Sequence, residues 1–224
     1  MGGLQQRPRE RGEHGLVRRR FVERLRRNGI RDPRVLEAFA QVRRHELVPE
    51  ALRGRAYADT PLPIGEGQTI SAPGIVAAMT QALELRGDET VLEVGTGSGY
   101  QTAILSRLAA RVISIERVPR LAAAARRALD AFAVTNVVVH LGDGTQGRPA
   151  DAPYDAIVIT AGGPEIPEPL LGQLAVNGRL VGPCGPRGAQ ELVRIRRVSL
   201  RRFARESLGA CRFVDLIGAH GWVG

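Results

Sequence analysis

The sequence predicts an α/β protein built on a doubly wound, mostly parallel, seven-stranded sheet, with N-terminal helices covering the site. Three observations lead to this prediction. Five short apolar runs alternate with amphipathic segments between residues 91 and 184. A glycine-rich turn directly follows the first of these runs. Two further alternating runs, residues 192–198 and 212–217, are typical of late antiparallel strands.

The N-terminal third of the chain supplies helices and one long loop. Residues 16–28 carry an apolar stripe at helical spacing, and Asp32-Pro33 is a typical N-cap and first-turn pair. The loop at residues 60–73 holds three prolines and two glycines, and loops of that length are often functional. The predicted divisions are a mobile basic tail at 1–15 and one domain at 16–224, made of N-terminal helices and loop at 16–85, a core at 86–190 and C-terminal strands at 191–224.

The glycine-rich turn predicts a binding site for a nucleotide-like ligand. It reads Gly95-Thr96-Gly97-Ser98-Gly99 and lies between an apolar strand and an amphipathic helix. Glycine tolerates positive φ and lets a ligand approach the backbone, and the following helix offers free N–H groups. The dinucleotide pattern G-x-G-x-x-G fails, because its third glycine would fall on Tyr100 or Thr102. The chain contains no lysine, which excludes a P-loop.

Acidic residues at successive strand ends strengthen this interpretation. Glu93 precedes the turn, and G-x-G-x-G after an acidic strand is the form found in S-adenosylmethionine-dependent methyltransferases. Glu116 ends the second strand about 20 residues past Gly95, the spacing at which a carboxylate meets ribose hydroxyls. Asp143 follows the third strand and could face adenine. The alternative is that each acid only marks a solvated strand end.

Composition limits the other functions. The net charge is +9 and every cation apart from histidine is arginine, which either attracts nucleic acid or reflects a GC-rich coding bias; the scattered arginines make nucleic acid the weaker alternative. No apolar run is long enough to span a membrane. Cys184 and Cys211 are isolated thiols, which favours a reducing, cytoplasmic compartment, and no metal-type spacing is present.

Several motifs together resemble the protein-L-isoaspartate O-methyltransferase family. They are Gly67-Gln68-Thr69-Ile70-Ser71-Ala72-Pro73, the stretch 91–100, Gly142-Asp143-Gly144, the stretch 152–157 and Gly178-Arg179-Leu180-Val181. The resemblance covers about residues 17–222 and implies a Rossmann-like methyltransferase fold. It also implies transfer of a methyl group from S-adenosylmethionine, leaving S-adenosylhomocysteine, to the carboxylate of L-isoaspartyl residues in damaged proteins and peptides. The ester then collapses to a succinimide, which begins repair.

The resemblance assigns roles to individual residues. Ser71 is the implied catalytic residue, although its place two residues before Pro73 also suits a helix N-cap. Gln190 and residues 213–218 are expected to border the peptide groove, and the family often has proline where this chain has Asp215. The implied cofactor-binding residues are Thr69, Ile70, Ser71, Glu93, Gly95, Thr96, Gly97, Ser98, Gly99, Glu116, Asp143, Gly144 and Thr160.

The resemblance leaves several substrates open. A related methyltransferase could act on one aspartate of a dedicated precursor peptide and share every cofactor-binding residue. An RNA-binding or RNA-modifying methyltransferase is suggested only by the basic charge, and a small-molecule O-methyltransferase fits the motif at residues 67–73 less well. We expect isoaspartyl proteins and peptides as partners, no membrane, and a monomer.

Overall fold

The structure, a computed structural model, describes residues 13–223. Its centre is one seven-stranded sheet with the strand order β5-β4-β3-β6-β7-β8-β9. Strands β3 to β7 run parallel, and β8 and β9 join antiparallel. The predicted fold class is therefore confirmed. The strands are β3 (Thr90–Val94), β4 (Arg111–Glu116), β5 (Val137–Leu141), β6 (Tyr154–Ile159), β7 (Leu174–Cys184), β8 (Gln190–Ser199) and β9 (Arg202–Cys211).

The middle of the parallel sheet determines where a ligand can bind. Strand β3 pairs with β4 on one side and with β6 on the other, and Val91 and Leu92 are fully buried. The strand order therefore reverses between β3 and β6. In open α/β sheets ligands bind beyond the carboxyl ends of the strands at such a reversal. The glycine-rich turn lies at that position, directly after Val94.

Helices cover both faces of the sheet, and the N-terminal ones pack over the start of α4. Helix α2 begins as predicted, with Asp32 Oδ1 accepting a hydrogen bond from Arg34 N at 2.8 Å. The rings of Phe39 and Tyr100 meet edge to face at 5.9 Å between centroids. None of the helices within residues 13–223 could cross a bilayer. The helices are α1 (Glu13–Arg27), α2 (Pro33–Gln41), α3 (Pro73–Ala82), α4 (Tyr100–Leu105), α5 (Pro119–Ala131) and α6 (Glu168–Gln173), with short 3-10 turns between some of them.

Near the N-terminus, two segments differ from their predicted structures. Helix α1 begins at Glu13, so the predicted tail boundary after residue 15 falls inside a helix; residues 1–12 lie outside the described residues. The predicted loop at residues 60–73 contains a two-stranded hairpin, β1 (Leu62–Gly65) and β2 (Gln68–Ile70). Its turn places Glu66 and Gly67 at positive φ. The hairpin brings Ser71 to the start of α3.

The last strand of the sheet is not the predicted one. Residues 212–217 are mostly irregular, with only isolated bridges such as Gly162 with Asp215. The seventh strand is instead β9, whose side chains are nearly all exposed. An edge strand of this kind buries no apolar face, so it carries no alternating apolar pattern. The alternation at 212–217 comes from a loop that lies against the cleft.

Candidate active site

One cavity lies beyond the carboxyl ends of β3, β4 and β6. Three parts of the chain line it: the hairpin segment 68–71 with α3, the strand ends carrying the glycine-rich turn and Glu116, and the C-terminal segment 213–217. Ten of the thirteen predicted cofactor-binding residues take part in that lining: Thr69, Ile70, Ser71, Gly95, Thr96, Gly97, Ser98, Glu116, Gly144 and Thr160.

The glycine-rich turn is held in place by the neighbouring strand ends. Gly95 has φ +98, and a Cβ there would lie 2.4 Å from Thr160 Oγ1. Its N–H donates to Ile115 O at 2.8 Å, and Thr160 Oγ1 donates to Gly95 O at 2.6 Å. Only glycine fits this position, because it combines positive φ with a close side-chain contact. The turn therefore has one conformation in which its backbone faces the cavity.

Glu116, the residue for which the sequence predicts ribose binding, lines the cavity. Its Oε2 accepts from Gly97 N at 2.8 Å and its Oε1 from Val118 N at 2.9 Å. A carboxylate can accept about four hydrogen bonds, so both oxygens retain capacity for a ligand diol. Apolar side chains from Ile115, Val118 and Leu121 line the same cavity. Hydroxyl acceptors beside an apolar slot fit the ribose and adenine of S-adenosylmethionine.

Glu93 does not line the cavity, which corrects its prediction as a cofactor-binding residue. The side chain is fully buried beneath the turn, where its Oε2 accepts from Thr102 Oγ1 at 2.5 Å and from Ser114 Oγ at 2.6 Å. Burial raises the pKa of Glu93 to about 8. Ser114 Oγ in turn lies 2.5 Å from Thr96 Oγ1. Glu93 therefore supports the glycine-rich turn from below.

Asp143 and Gly99 also lie outside the cavity lining. The Asp143 carboxylate accepts from Thr145 N at 2.9 Å and from Ala219 N at 2.7 Å. Burial alone would raise the pKa of Asp143, but these hydrogen bonds outweigh it and lower the pKa. Asp143 thus fastens the C-terminal segment to the sheet. Gly99, at φ +81, is the N-cap of α4 and packs against Ala125.

Ser71 faces the cavity and also a shallow groove beside it, lined by Pro61, Ile75, Arg212 and Phe213 among others. The alternative role of Ser71 as the helix N-cap is not observed. Ala72 is the N-cap residue of α3 and has no side-chain hydrogen bond. Among the described residues, the Ser71 hydroxyl has no hydrogen-bond partner, so it is available to a ligand.

The C-terminal segment is partly as predicted. Residues 213–217 line the cavity, but Gln190 is buried behind them, accepting from Phe213 N at 2.6 Å through Oε1. Asp215 lines the cavity and accepts from Arg187 Nε at 2.7 Å. The Arg187 guanidinium lies over the Trp222 ring, 4.5 Å from its centroid.

Sequence reasoning missed further lining residues. Tyr100 and Gln101 follow the glycine-rich turn and form the cavity wall opposite Glu116's strand, and Met79 enters from α3. Gln101 Nε2 donates to Thr80 Oγ1 at 3.0 Å, while its buried Oε1 has no partner among the described residues. The place of Tyr100 and Gln101 directly after the turn was the only available signal for these two residues.

Comparisons with known proteins agree with this geometry. The family model for protein-L-isoaspartate(D-aspartate) O-methyltransferase matches residues 17–221. A protein-L-isoaspartate O-methyltransferase of Syntrophus aciditrophicus is 54% identical over 202 residues, 89% of this chain and 93% of that protein. Protein-L-isoaspartate O-methyltransferase 1 of Syntrophobacter fumaroxidans is 55% identical over 209 residues, 93% of this chain and 97% of that protein.

Solved structures show the same similarity. One protein-L-isoaspartate O-methyltransferase superposes with a TM-score of 0.80 at 27% identity, over 91% of this chain and 67% of the other. A Plasmodium falciparum structure described by the same family name, in complex with S-adenosyl-L-homocysteine, has a TM-score of 0.79 at 27% identity, over 92% and 99% of the two chains. The chain belongs to the protein-L-isoaspartate(D-aspartate) O-methyltransferase family and is an S-adenosylmethionine-dependent enzyme.

Proposed function

We propose a division of roles by which this chain transfers a methyl group from S-adenosylmethionine to the carboxylate of L-isoaspartyl residues and so begins their repair. One observation carries the proposal. A cofactor side, formed by the glycine-rich turn and Glu116, and an acceptor side, formed by Ser71 and residues 213–215, line one cavity. An acceptor carboxylate beside Ser71 would therefore share an enclosed site with the reactive end of the cofactor.

The cofactor side would hold the nucleoside and the methionine part separately. Glu116 accepts hydrogen bonds from the ribose hydroxyls, and Ile115, Val118 and Leu121 enclose the adenine. The exposed backbone of residues 95–98 receives the methionine part. Glu93 and Asp143 act indirectly, because one supports the turn and the other fastens the C-terminal segment.

The acceptor side needs to orient its substrate but does not need to deprotonate it. A side-chain carboxylate has a reference pKa near 4 and is ionised at neutral pH. The bound cofactor supplies an electrophilic methyl group. Ser71 Oγ–H would donate to one carboxylate oxygen and hold the other towards the methyl carbon. Orientation of this kind can contribute roughly 7–11 kcal/mol to catalysis at most.

The groove beside Ser71 would hold the flanking peptide. Its walls at Pro61, Ile75 and Phe213 are apolar, and Arg212 brings a positive charge to its rim. We further propose that the substrates are damaged proteins and peptides in general, and that the enzyme is a cytoplasmic monomer. The cysteines Cys184 and Cys211 are free thiols, which suits a reducing compartment.

Two synthetic peptides that differ only in isoaspartate or normal aspartate at one position test this function. With labelled S-adenosylmethionine, we expect a base-labile label on the isoaspartyl peptide alone. Ser71→Ala should lower kcat/KM for that peptide about 10- to 100-fold, because it removes a hydrogen bond to a charged group. Ser199→Ala, at an exposed position of β8, is the matched control and should leave kcat/KM unchanged.

Two other outcomes would redirect the proposal. Labelling of neither peptide, with S-adenosylhomocysteine still bound, would favour a dedicated peptide substrate. Full activity of Ser71→Ala would remove Ser71 from the mechanism and leave the reaction itself intact.

A further inference from the structure

Helix α3 begins beside Ser71, but its cap comes from a different part of the chain. Pro73 is the first helical residue and has no N–H, so Gly74 supplies the first free backbone donor. That N–H donates to Asp59 Oδ1 at 2.7 Å. Asp59 lies 15 residues upstream of Gly74, before the β1–β2 hairpin. The carboxylate accepts the hydrogen bond that is usually accepted by the side chain of the N-cap residue, directly before the helix.

The absence of a side chain at residue 74 makes this contact possible. A Cβ on Gly74 would lie 2.7 Å from Asp59 Oδ2 and 2.9 Å from Asp59 Oδ1. Real Cβ atoms do not approach a carboxylate so closely, so any larger residue would displace Asp59. The negative charge also lies at the positive end of the helix dipole, which is favourable.

A buried cation, Arg44, lies near Asp59 without forming an ion pair with it among the described residues. Arg44 is fully buried, its Nε donates to Ala56 O at 2.7 Å, and its guanidinium lies 4.7 Å from the centroid of the Tyr100 ring. Burial lowers the pKa of Arg44, and nearby Tyr100 and Asp59 oppose that change. Arg44 therefore holds residue 56 against the cavity wall, and Asp59, three residues further on, connects the same stretch of chain to α3.

We propose that Asp59 is a positioning residue for methyl transfer: by capping α3 at Gly74 it leaves the Ser71 hydroxyl uncommitted and aimed into the cleft. This inference rests on the role proposed for Ser71. Without the Asp59 carboxylate, the exposed Gly74 N–H turns to water or to another side chain, and the Ser71 hydroxyl is the nearest side chain of that type in the sequence. A Ser71 that caps the helix cannot donate to the acceptor at the same time in the same orientation.

A double-mutant cycle tests this inference. Asp59→Ala should lower kcat/KM for the isoaspartyl peptide about 2- to 30-fold, the equivalent of losing one cap, and leave the Kd for S-adenosylhomocysteine within about twofold. Asp59→Asn should retain most activity, because an amide oxygen caps as well as a carboxylate. In a Ser71→Ala background, Asp59→Ala should change activity less than about twofold, because the group it positions is gone.

A second variant approaches the same contact from the helix. Gly74→Ala introduces the Cβ that displaces Asp59, so it should reproduce the loss seen for Asp59→Ala, although alanine is the better helix former. In an Asp59→Ala background, Gly74→Ala should have no further effect. The Gly74 amide resonance in a two-dimensional NMR spectrum should shift in Asp59→Ala and stay close to its wild-type position in Asp59→Asn.

Two results would overturn the inference. Equal losses from Asp59→Ala with and without Ser71 would show that Asp59 acts on the fold and not through Ser71. An Asp59→Asn variant as impaired as Asp59→Ala would show that the charge matters and the cap does not. Full activity of Ser71→Ala alone would be a different failure, since it removes the proposed role of Ser71 and this inference with it.

Discussion

The two sides of the cleft are built in different ways. The cofactor side consists of three adjacent strand ends, and the bonds that shape it run between neighbours in the sheet, such as Gly95 N to Ile115 O at 2.8 Å. The acceptor side, Ser71 and residues 213–215, lies on two segments outside the seven-stranded sheet, 68–71 and 213–217. These depend on single side chains reaching across the chain, including Asp59, Gln190 and Arg187.

This difference predicts which properties change together. Substitutions on the cofactor side should alter binding of S-adenosylhomocysteine, because the sheet fixes that surface directly. Substitutions that free an acceptor segment should alter KM for the peptide and leave cofactor affinity nearly unchanged. An enzyme built this way can change its peptide preference without rebuilding its cofactor site.

The largest effect should come from Glu116 on the cofactor side. Glu116→Ala removes the predicted ribose acceptor and also leaves Gly97 N and Val118 N without partners. Each lost hydrogen bond to a charged group costs about 1.5–3 kcal/mol, so Kd for S-adenosylhomocysteine should rise about 100-fold or more. Calorimetric titration measures this. Glu116→Gln should weaken S-adenosylhomocysteine binding less than Glu116→Ala. An unchanged Kd in Glu116→Ala would place the ribose elsewhere.

Glu93, which lies beneath the glycine-rich turn of the cofactor side, should make the free energy of unfolding depend on pH. Its pKa in the folded protein, about 8, lies above the value near 4.5 expected when unfolded. Between these values the folded state holds a proton that the unfolded state has released, so stability should fall as pH rises from 5 to 8. The contribution is on the order of a few kcal/mol.

Chemical denaturation at pH 5 and pH 8 tests the Glu93 prediction. Glu93→Gln cannot ionise, so its free energy of unfolding should lack this decrease and approach or exceed that of the wild type at pH 8. Glu116 contributes to the raised pKa of Glu93, so the decrease should be smaller in Glu116→Gln. If the free energy of unfolding changed with pH in the same way in wild type and Glu93→Gln, Glu93 would not be neutral in the folded protein.

The same contrast explains what the sequence could predict. Apolar runs and a glycine-rich turn report on buried parallel strands, so the parallel part of the sheet and the place of Glu116 at a strand end were predicted. Thr160 came from the family resemblance alone. Glu93 was misplaced because a strand pattern does not say whether a terminal acid points up into a ligand or down beneath the turn. The N-cap of α3 was a real alternative for Ser71, because nothing local in the sequence shows that Asp59 bonds the first free N–H of the helix. The exposed edge strand β9 left no apolar pattern to read.

On the acceptor side, Gln190 should affect the peptide more than the cofactor. Gln190→Leu keeps the volume but leaves Phe213 N without the acceptor it meets at 2.6 Å. An unpaired donor of this kind costs about 1–3 kcal/mol, and part of that should appear as a roughly tenfold higher KM for the isoaspartyl peptide. Kd for S-adenosylhomocysteine should change less than about threefold, because Gln190 itself does not line the cavity.

Gln173 provides a matched control for Gln190. It is also largely buried and its side chain makes two bonds to backbone, accepting from Arg148 N at 2.7 Å and donating to Gln146 O at 2.8 Å, but it does not line the cavity. Gln173→Leu should cost similar stability and leave KM unchanged. Equal KM values in the two variants would show that residues 213–217 keep their position without Gln190.

The smallest effect should come from the Arg187–Asp215 pair at the cavity rim. Arg187→Ala leaves the Asp215 carboxylate uncompensated in the wall where an anionic acceptor must bind. Ion pairs this exposed contribute about 0–1 kcal/mol, so KM for the peptide should rise only about two- to fivefold. The increase should be largest at low ionic strength, because the Debye length falls from about 30 Å at 0.01 M to about 8 Å at 0.15 M salt.

Removing the second charge separates electrostatics from packing. Asp215→Asn in the Arg187→Ala background should restore KM, since no charge remains to repel the acceptor. Arg205→Ala, which breaks a similarly exposed pair with Glu191 on the far strands of the sheet, should leave KM unchanged. Arg187 also lies over Trp222, so a KM that Asp215→Asn fails to restore would assign its effect to that ring contact. Restoration of KM would instead show that the charge at residue 215 influences binding of the acceptor and leaves the cofactor side unchanged.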